Sequence, residues 1–350
     1  MPEKIRQRPV RVVALGGGTG LSMLLRGLKE HIALPSNGAS LSPAIHVDAV
    51  VTVSDDGGSS GRLRREYSIL PPGDIRNCMV ALSPDEALLA KLFQYRFPGR
   101  GRGLAGHSFG NLFLAALTDV TGDFPEAVKL SSNVLATRGR IFPSTAANVS
   151  LKATLDNGRV ISGETRISRS THPIRRVQLV PSTAAPLDEV LSSIRKADLI
   201  LLGPGSLYTS LIPNLLVRGV ASAIANSRAQ CIYIANVMTQ PGETDGYSVA
   251  DHVRAIYDHV GTRLFHAVVL NRSVPPPEIL RRYRRQGAEP VNPSLEELKR
   301  MGLTCIMGSL LQHGTVIRHN QRRLAQLILR HFAHPTASRD RRAPLSPLNL

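Results

Sequence analysis

A glycine-rich turn near the N-terminus is the feature of this sequence that most directly suggests a chemistry. The apolar run Val10–Leu15 leads into it, and leucines at helical spacing follow it. The turn consists of five small residues, Gly16, Gly17, Gly18, Thr19 and Gly20. A strand, a tight turn and a helix in this order present backbone N–H groups to a phosphate. The turn lacks the Lys-Ser/Thr pair of a P-loop, and Leu21 stands where a dinucleotide-binding fingerprint has its third glycine.

Two adjacent acids, Asp55 and Asp56, follow the next apolar run, Val47–Val53. In a doubly wound sheet the carboxyl ends of the first two strands lie together at the ligand crevice, so we expect both acids to face the glycine turn. Carboxylates there can bind a ribose hydroxyl or hold Mg²⁺ on the phosphates of a ligand, although the same residues also fit a solvated surface turn. The segment continues into three arginines, Arg62, Arg64 and Arg65, which favours a phosphorylated ligand.

A helix start is predicted after the Pro-Pro-Gly segment that ends at Gly73. Asp74 is expected to be its N-cap residue, and Arg76 and Asn77 are expected in its first turn. Helix capping alone accounts for the aspartate. The cation and the amide add two groups that can point into the crevice.

A second helix start is predicted within Gly106–Asn111, with Ser108 as the N-cap residue. His107 is a candidate acid or base because imidazole titrates near neutral pH, while a structural role is the alternative for a lone loop histidine. No Ser-His-Asp arrangement is readable around it. His107, Ser108 and Asn111 are therefore candidate ligand-binding residues at a helix N-terminus.

A second glycine turn follows the apolar run Leu199–Leu202. Gly203 and Gly205 allow close approach of the backbone, and the Ser206 hydroxyl can donate to a phosphate. Two such turns in one sheet are expected to flank its topological switch point. A dense polar segment after a later strand adds Asn236 and Thr239 as candidates of the same kind.

Two residues of the C-terminal third complete the candidate set. Tyr283 can stack on a base, and Arg318 can bind a diphosphate through two N–H groups. Taken singly, both residues also fit ordinary surface positions. Their place in a ligand site therefore depends on the fold.

The elements that must position these residues alternate along the chain. Six apolar runs are predicted strands: Val10–Leu15, Val47–Val53, Arg175–Val180, Leu199–Leu202, Cys231–Ala235 and Ala267–Leu270. Seven amphipathic segments are predicted helices: Leu21–Glu30, Asp85–Arg96, Phe109–Asp119, Phe124–Ala136, Leu187–Arg195, Tyr208–Asn226 and Gln321–Phe332. This alternation predicts an α/β fold with a Rossmann-like, doubly wound and mainly parallel sheet covered by helices on both faces.

One segment departs from this alternation. Within residues 149–166, Asp156-Asn157-Gly158 joins two β-rich runs, which predicts a small antiparallel hairpin at the edge of the domain. A polar loop, Pro35–Pro43, is inserted after the first helix. We expect an N-terminal tail over residues 1–9, a single Rossmann-like domain over residues 10–333, and a disordered basic tail over residues 334–350.

Composition limits the classes of function. No segment approaches the roughly 20 apolar residues of a membrane span, the N-terminus does not read as a signal peptide, and the three cysteines are isolated, so a cytoplasmic location is expected. The formal net charge is +17, but the arginines are dispersed and Trp is absent. Nucleic acid is therefore not expected as the principal ligand, and one polyanionic ligand accounts for part of the charge.

Six segments that occur together and in this order resemble a known family. They are Ala14–Ser22, Val51–Arg64, Pro71–Asn77, Gly106–Asn111, Gly203–Ser210 and Asn236–Tyr247. On these motifs the chain resembles the bacterial gluconeogenesis factor (YvcK-like) family. That family shares a superfamily with the phospholactate transferases (CofD) of deazaflavin cofactor synthesis. The resemblance runs from Val10 to Phe332.

The resemblance implies a Rossmann-like cytoplasmic protein required for normal cell shape during growth on gluconeogenic carbon sources. It also implies a link to cell-wall precursor supply, with regulatory contact to an enzyme of amino-sugar or wall-precursor synthesis. The ligand it implies is a UDP-sugar such as UDP-N-acetylglucosamine, with Tyr283 and Arg318 in the UDP-sugar site. No established reaction is attached to the family, and the oligomeric state stays open.

An enzyme is the alternative. The transferase relatives work with Mg²⁺, and their pair of aspartates at a strand end resembles Asp55-Asp56, which implies a magnesium-dependent phosphotransferase or nucleotide-linked transferase. The residues that follow here, Gly57–Arg64, depart from the transferase pattern and argue against that activity. A nicotinamide-dependent oxidoreductase is a third class, and Leu21 argues against it. The sequence thus favours a UDP-sugar-binding regulator over an enzyme.

Overall fold

The computed structural model describes residues 8–33, 44–84, 88–99, 103–312 and 314–332. The predicted loop Pro35–Pro43, the tail over 334–350 and most of the tail over 1–9 lie outside these residues. The strands are β1 (Val10–Gly16), β2 (Ile45–Val51), β3 (Arg140–Pro143), β4 (Ser150–Leu155), β5 (Val160–Ser162), β6 (Ile174–Val180), β7 (Leu199–Leu202), β8 (Gln230–Ile234), β9 (Ala267–Asn271) and β10 (Thr304–Gly308).

Seven of these strands form one parallel sheet in the order β10-β9-β8-β7-β1-β2-β3. The chain runs outward from β1 to β3 on one side and then crosses back to β7 and runs outward to β10 on the other. The topological switch point therefore lies between β1 and β7, whose carboxyl ends border a crevice in such sheets. Because β1 and β7 lead into the two glycine turns, both turns lie at this switch point.

The central strands are apolar because they are covered on both faces. Every residue of β7 is buried, as are the last five residues of β1, which is the pattern of interior strands in a parallel sheet. The predicted strands matched this sheet, except Arg175–Val180. That run is β6, which pairs antiparallel with β4 in a separate sheet of order β5-β4-β6. Its alternation of exposed and buried residues suits a sheet with one solvated face.

Helices fill the intervals between strands. They are α1 (Gly18–Lys29), α2 (Gly58–Tyr67), α3 (Gly73–Leu82), α4 (Leu88–Gln94), α5 (Phe109–Thr121), α6 (Phe124–Val134), α7 (Glu164–Ile167), α8 (Asp188–Lys196), α9 (Ile212–Leu216), α10 (Val220–Ala225), α11 (Val249–Val260), α12 (Pro277–Arg285), α13 (Leu295–Arg300) and α14 (Gln321–Phe332). None of these helices is long and apolar enough to cross a membrane.

Two helical layers cover the parallel sheet. Both α1 and α8 pack on β1, but α1 contacts α3 and α14, whereas α8 contacts α10, which contacts α9. This arrangement confirms the predicted α/β architecture with its small antiparallel hairpin. The single helix predicted over Tyr208–Asn226 is wrong. The chain instead forms a π-helical turn over Leu207–Leu211 and then the short helices α9 and α10, separated at Gly219, whose φ is +86°.

The packing of α14 on α1 positions the C-terminal part of the crevice. A Cβ atom on Gly27 would lie 2.1 Å from the carbonyl oxygen of Gln321, so the two helices cross in backbone contact. Any larger residue at position 27 would move the start of α14. The residues just before that start include Arg318, so glycine at position 27 fixes where Arg318 stands relative to the first glycine turn.

Candidate functional site

The first glycine turn carries the N-terminus of α1. Gly17 is the N-cap residue and has no side chain to cap the helix. Asp74 accepts from the N–H of Gly18, while the N–H groups of Thr19 and Gly20 have no partner among the described residues and can bind a ligand. Gly18 has φ of +59°. A Cβ atom on Gly20 would lie 2.2 Å from the carbonyl oxygen of Pro204. The two glycine turns therefore touch backbone to backbone, and glycine is required at position 20 for that approach.

The second glycine turn is held by the loop after β8. The Asn236 amide donates to the carbonyl of Gly205 at 2.9 Å and accepts from its N–H at 3.2 Å. The Gln240 amide donates to the Ser206 hydroxyl oxygen at 2.7 Å, which leaves the O–H of Ser206 to donate to a ligand. Asn236 therefore shapes the turn, and Gln240 orients its hydroxyl.

The wall opposite the turns comes from α12 and the loop before α14. The hydroxyl of Tyr283 accepts a hydrogen bond from the N–H of Ile317 at 3.1 Å. The guanidinium of Arg282 lies 5.7 Å from the centre of the Tyr283 ring and donates to the carbonyl of Thr315. These contacts attach the loop that carries Arg318, an exposed cation, to α12.

These elements enclose a cleft of about 310 Å³, within the range of small-molecule sites. Nine predicted site residues line it: Gly17, Gly18, Thr19, Gly20, Gly205, Ser206, Asn236, Tyr283 and Arg318. Ten do not: Gly16, Asp55, Asp56, Arg76, Asn77, His107, Ser108, Asn111, Gly203 and Thr239. Thr239 instead exchanges hydrogen bonds with the backbone of Glu289 and ties two loops together.

Three polar residues of the cleft are absent from the predicted set: Ser210, Gln240 and His319. Gln240 was missed, although it lies in the polar segment after β8. His319 was missed because a neighbour of a candidate arginine has no local signal of its own. Its imidazole is 4% exposed, its Nε2 has no hydrogen-bond partner among the described residues, and burial lowers its pKa to about 4. His319 is therefore neutral near pH 7 and offers an uncharged ring to the cleft.

The structure corrects the prediction that Asp74 is the N-cap residue of its own helix. The N-cap residue of α3 is Pro72, and Asp74 lies in the first turn. Its Oδ2 atom instead accepts a hydrogen bond from the N–H of Gly18 at 2.7 Å. Burial raises the pKa of Asp74 to about 6. A carboxyl thus reaches the first glycine turn, but it is Asp74 rather than Asp55 or Asp56.

The predicted acid pair lies behind this contact. Asp55 accepts from the N–H of Gly57 at 2.8 Å, and burial raises its pKa. Asp56 accepts from the N–H and hydroxyl of Thr165 at 2.9 and 2.6 Å. The two carboxyls therefore bind different parts of the chain rather than a shared point. Across the described residues, no three His, Cys, Asp or Glu side chains are grouped to hold a metal ion. A Mg²⁺ ion held by this pair together with ligand phosphates stays a prediction.

Glu164, which sequence reasoning missed, joins these acids from the N-terminus of α7. Burial, followed by the nearby charges of Asp55 and Asp74, raises its pKa to about 9. It is therefore protonated at neutral pH, whereas Asp74 is mostly ionised. Carboxyls whose environments separate their pKa values are the arrangement used in acid–base chemistry.

The remaining candidates form a second polar cluster at the N-terminus of α5. Ser108 caps this helix, as predicted, by accepting from the N–H of Asn111. The Ser59 hydroxyl is hydrogen-bonded to His107 Nδ1 at 2.9 Å and to the Asn111 amide at 3.1 Å. Burial, followed by the charge of Arg62, lowers the pKa of His107. His107 is thus a buried and neutral group outside the cleft.

Arg76 and Asn77 are separated from the cleft in the same way. The guanidinium of Arg76 donates to the Asn77 side chain at 2.7 Å, and burial lowers its pKa to about 10. A Cβ atom on Gly110 would lie 2.9 Å from the Arg76 side chain, so α3 and α5 are in close contact. Arg76 therefore packs against the start of α5 rather than facing the glycine turns.

A parallel sheet with two glycine turns at its switch point defines a Rossmann-like protein with a cleft at the carboxyl ends of its central strands. A model of the family described as 2-phospho-L-lactate transferase CofD matches residues 12–311. The chain therefore belongs to the CofD family.

Similar proteins include the gluconeogenesis factor of Bacillus subtilis, 47% identical over 92% of this chain and 98% of its own length. The gluconeogenesis factor of Halalkalibacterium halodurans is 46% identical over 91% of this chain and 95% of its own. A crystal structure of a Bacillus halodurans protein superposes with a TM-score of 0.86 at 45% identity, covering 92% of this chain and 100% of that one. The family resemblance stated from the motifs is confirmed.

Proposed function

We propose that this chain is a cytoplasmic regulator that binds a UDP-sugar, such as UDP-N-acetylglucosamine, in the cleft between the glycine turns and α12. The observation that carries the proposal is the cleft itself, in which uncapped helix N–H groups and Ser206 face Tyr283 and Arg318. Backbone N–H groups and an arginine suit a diphosphate, and an aromatic ring beside them suits a base. Because its relatives are named gluconeogenesis factors, we place its role in growth on gluconeogenic carbon sources.

In this arrangement the diphosphate lies on the two glycine turns and Arg318 closes over it. The half-exposed ring of Tyr283 packs on the uracil, and the neutral His319 lines the cleft beside Arg318. The loop fixes the backbone of Arg318, but its side chain makes no hydrogen bond or ion pair with any described residue, so the guanidinium can turn onto a bound ligand. A change of this loop on binding is the step by which occupancy alters contact with a partner enzyme of amino-sugar or wall-precursor synthesis, and through it cell shape.

Isothermal titration of the full chain with UDP-N-acetylglucosamine tests the proposal, with UDP, GDP and NAD as comparators and with and without Mg²⁺. We expect micromolar binding that does not need Mg²⁺ and a ligand that is recovered intact. Arg318→Ala removes charge-assisted hydrogen bonds worth about 1.5–3 kcal/mol, which weakens binding roughly 10- to 150-fold. Arg323→Ala, an exposed arginine of α14 outside the cleft, is the matched control and leaves affinity unchanged. Equal affinities in both variants would remove Arg318 from the site.

A transferase of the phospholactate transferase type is the second candidate, and one observation favours it. Asp74 bonds to the N–H of Gly18 while Glu164 stands near it with a pKa of about 9, so the cleft adjoins an ionised and a protonated carboxyl. Such a pair can accept and donate protons while a group is transferred from a nucleotide-linked donor. Breakdown of the nucleotide ligand during titration, lost in Glu164→Gln, would support this candidate over the regulator.

A further inference from the structure

A second cavity lies between α2 and β4, beside the loop that carries Asp55 and Asp56, which is called the acidic loop below. It encloses about 400 Å³, and none of its lining residues lines the nucleotide cleft. Six polar side chains line this α2–β4 cavity: Ser54, Asp56, Arg64, Arg65, Asn148 and Ser150. Nothing in the proposed nucleotide site uses them.

Two arginines give this cavity a positive balance. Arg64 is fixed in place, since its Nη2 donates to the Asn148 side chain at 2.6 Å and to the carbonyl of Val149. Among the described residues, its Nε and Nη1 atoms make no hydrogen bond. Arg65 is exposed and forms no hydrogen bond or ion pair with any described residue. Several guanidinium N–H groups thus stay available to a ligand anion.

A carboxylate faces the same space without neutralising these cations. Asp56 uses Oδ1 to accept from Thr165, and its Oδ2 has no hydrogen bond from any described residue. Asp56 and Arg64 interact electrostatically, but among the described residues no ion pair within 4.0 Å joins them. A cation and an acceptor that line one cavity without forming an ion pair are each left to bind a group of a ligand.

These groups define the chemistry of an occupant. Guanidinium N–H groups bind a phosphate or carboxylate, and a free carboxylate oxygen accepts from a hydroxyl. The hydroxyls of Ser54 and Ser150 and the amide of Asn148 add further hydrogen-bonding groups, and Leu151 is the apolar side chain of the lining. We propose that the α2–β4 cavity binds a small polyhydroxylated anion, which is a sugar phosphate or a sugar acid.

The place of the cavity gives this ligand a role. The loop that supplies Asp56 also supplies Asp55, which interacts electrostatically with Asp74, the residue that accepts from Gly18 in the nucleotide cleft. A ligand in each cavity therefore sits on either side of one acidic loop. The second ligand is thus a co-substrate or an effector, and the assignment stands whether or not the cleft takes a UDP-sugar.

Three probes of matched carbon skeleton test the proposal by isothermal titration of the full chain. Glucose 6-phosphate and gluconate differ in their anionic group, and glucose has none. We expect saturable one-to-one binding of at least one anion and none of glucose. Whichever anion binds more tightly identifies the phosphate or the carboxylate as the recognised group.

Arg65→Gln is the main variant, because this exposed side chain holds no other part of the chain in place. It should weaken anion binding tenfold or more. Arg159→Gln, at the far turn of the β4–β5 hairpin, is the matched control and should leave affinity unchanged. Arg318→Ala should also leave it unchanged, since Arg318 lines the other cleft.

Three outcomes overturn the assignment. They are no saturable binding of either anion, native affinity in Arg65→Gln, and loss of binding in Arg318→Ala, which would place the anion in the nucleotide cleft. Failure of UDP-N-acetylglucosamine to bind concerns the proposed function alone and leaves this test unaffected.

Discussion

Removal of the Tyr283 hydroxyl alone distinguishes two ways in which this residue can act on a ligand: by anchoring the loop that carries Arg318 and by packing its ring on the base. The hydroxyl accepts the N–H of Ile317, the residue before Arg318, at 3.1 Å. Tyr283→Phe removes this hydrogen bond and keeps the ring that packs on the base. One intramolecular hydrogen bond contributes about 0.5–1.5 kcal/mol to the anchored loop. If the loop must be ordered for Arg318 to reach the diphosphate, affinity for the UDP-sugar falls about 2- to 13-fold.

Tyr283→Ala removes the ring as well. Stacking of a base on an aromatic side chain is worth about 1–3 kcal/mol. Together with the lost anchor this gives about 1.5–4.5 kcal/mol, so affinity falls roughly 10- to 2,000-fold. The gap between the two variants measures the stacking of the ring alone.

The assay is isothermal titration with UDP-N-acetylglucosamine on a double-mutant cycle. It compares the native chain with Tyr283→Phe, Arg318→Ala and the double variant. Because the hydroxyl acts through the position of Arg318, its removal should cost nothing further once Arg318 is alanine. An equal loss of affinity from Tyr283→Phe in both backgrounds would refute the anchoring role. No loss in either background would do the same.

Three further predictions concern the elements around the cleft. Gly20→Ala places a Cβ atom 2.2 Å from the Pro204 carbonyl oxygen. It should lower the free energy of unfolding in urea by about 1–3 kcal/mol and abolish UDP-sugar binding. Retained affinity would show that the two turns can separate without loss of the site. Ser108→Ala removes the N-cap of α5 and should lower the free energy of unfolding by about 1 kcal/mol with unchanged UDP-sugar affinity. Burial raises the pKa of Asp74 from 3.8 to about 6, so between these pH values the folded state binds this proton more strongly than the unfolded chain. The free energy of unfolding therefore falls by about 3 kcal/mol as the pH rises through that interval. Asp74→Asn should flatten that decline in urea unfolding between about pH 4 and 7, and an unchanged slope contradicts it.

Local patterns predicted those parts of the fold that local chemistry determines. The strand Leu199–Leu202 and the helix Gln321–Phe332 have the predicted bounds, since a continuous apolar run and an amphipathic period each specify one element. The glycine turns were also predictable, because a strand–turn–helix pattern is formed by residues that are adjacent in the sequence. The two turns meet at the switch point because β7 lies beside β1 in the observed sheet order.

Roles that depend on distant residues were not readable. Asp74 was predicted as a cap because a helix start was local, whereas its partner Gly18 lies 56 residues earlier in the chain. The run Arg175–Val180 was assigned to the parallel sheet, although its alternating burial fits the antiparallel one that it joins. Strand β10 was not predicted because its residues are half-exposed rather than continuously apolar. In each case a tertiary partner, absent from the local pattern, decides the outcome.

The acids behind the first glycine turn bear on both candidate functions. Burial raises the pKa values of Asp55, Asp74 and Glu164 together, so the folded chain is destabilised where these groups ionise. A site that only binds a diphosphate gains nothing from a carboxylate on Gly18, because like charge opposes the phosphate. A chain that tolerates this cost at its ligand cleft uses the acids for more than packing. Under the two proposals they either handle a proton during group transfer or link the charge of the cleft ligand to the loop that borders the α2–β4 cavity, and in both cases they act on the cleft through Asp74, which accepts from the N–H of Gly18.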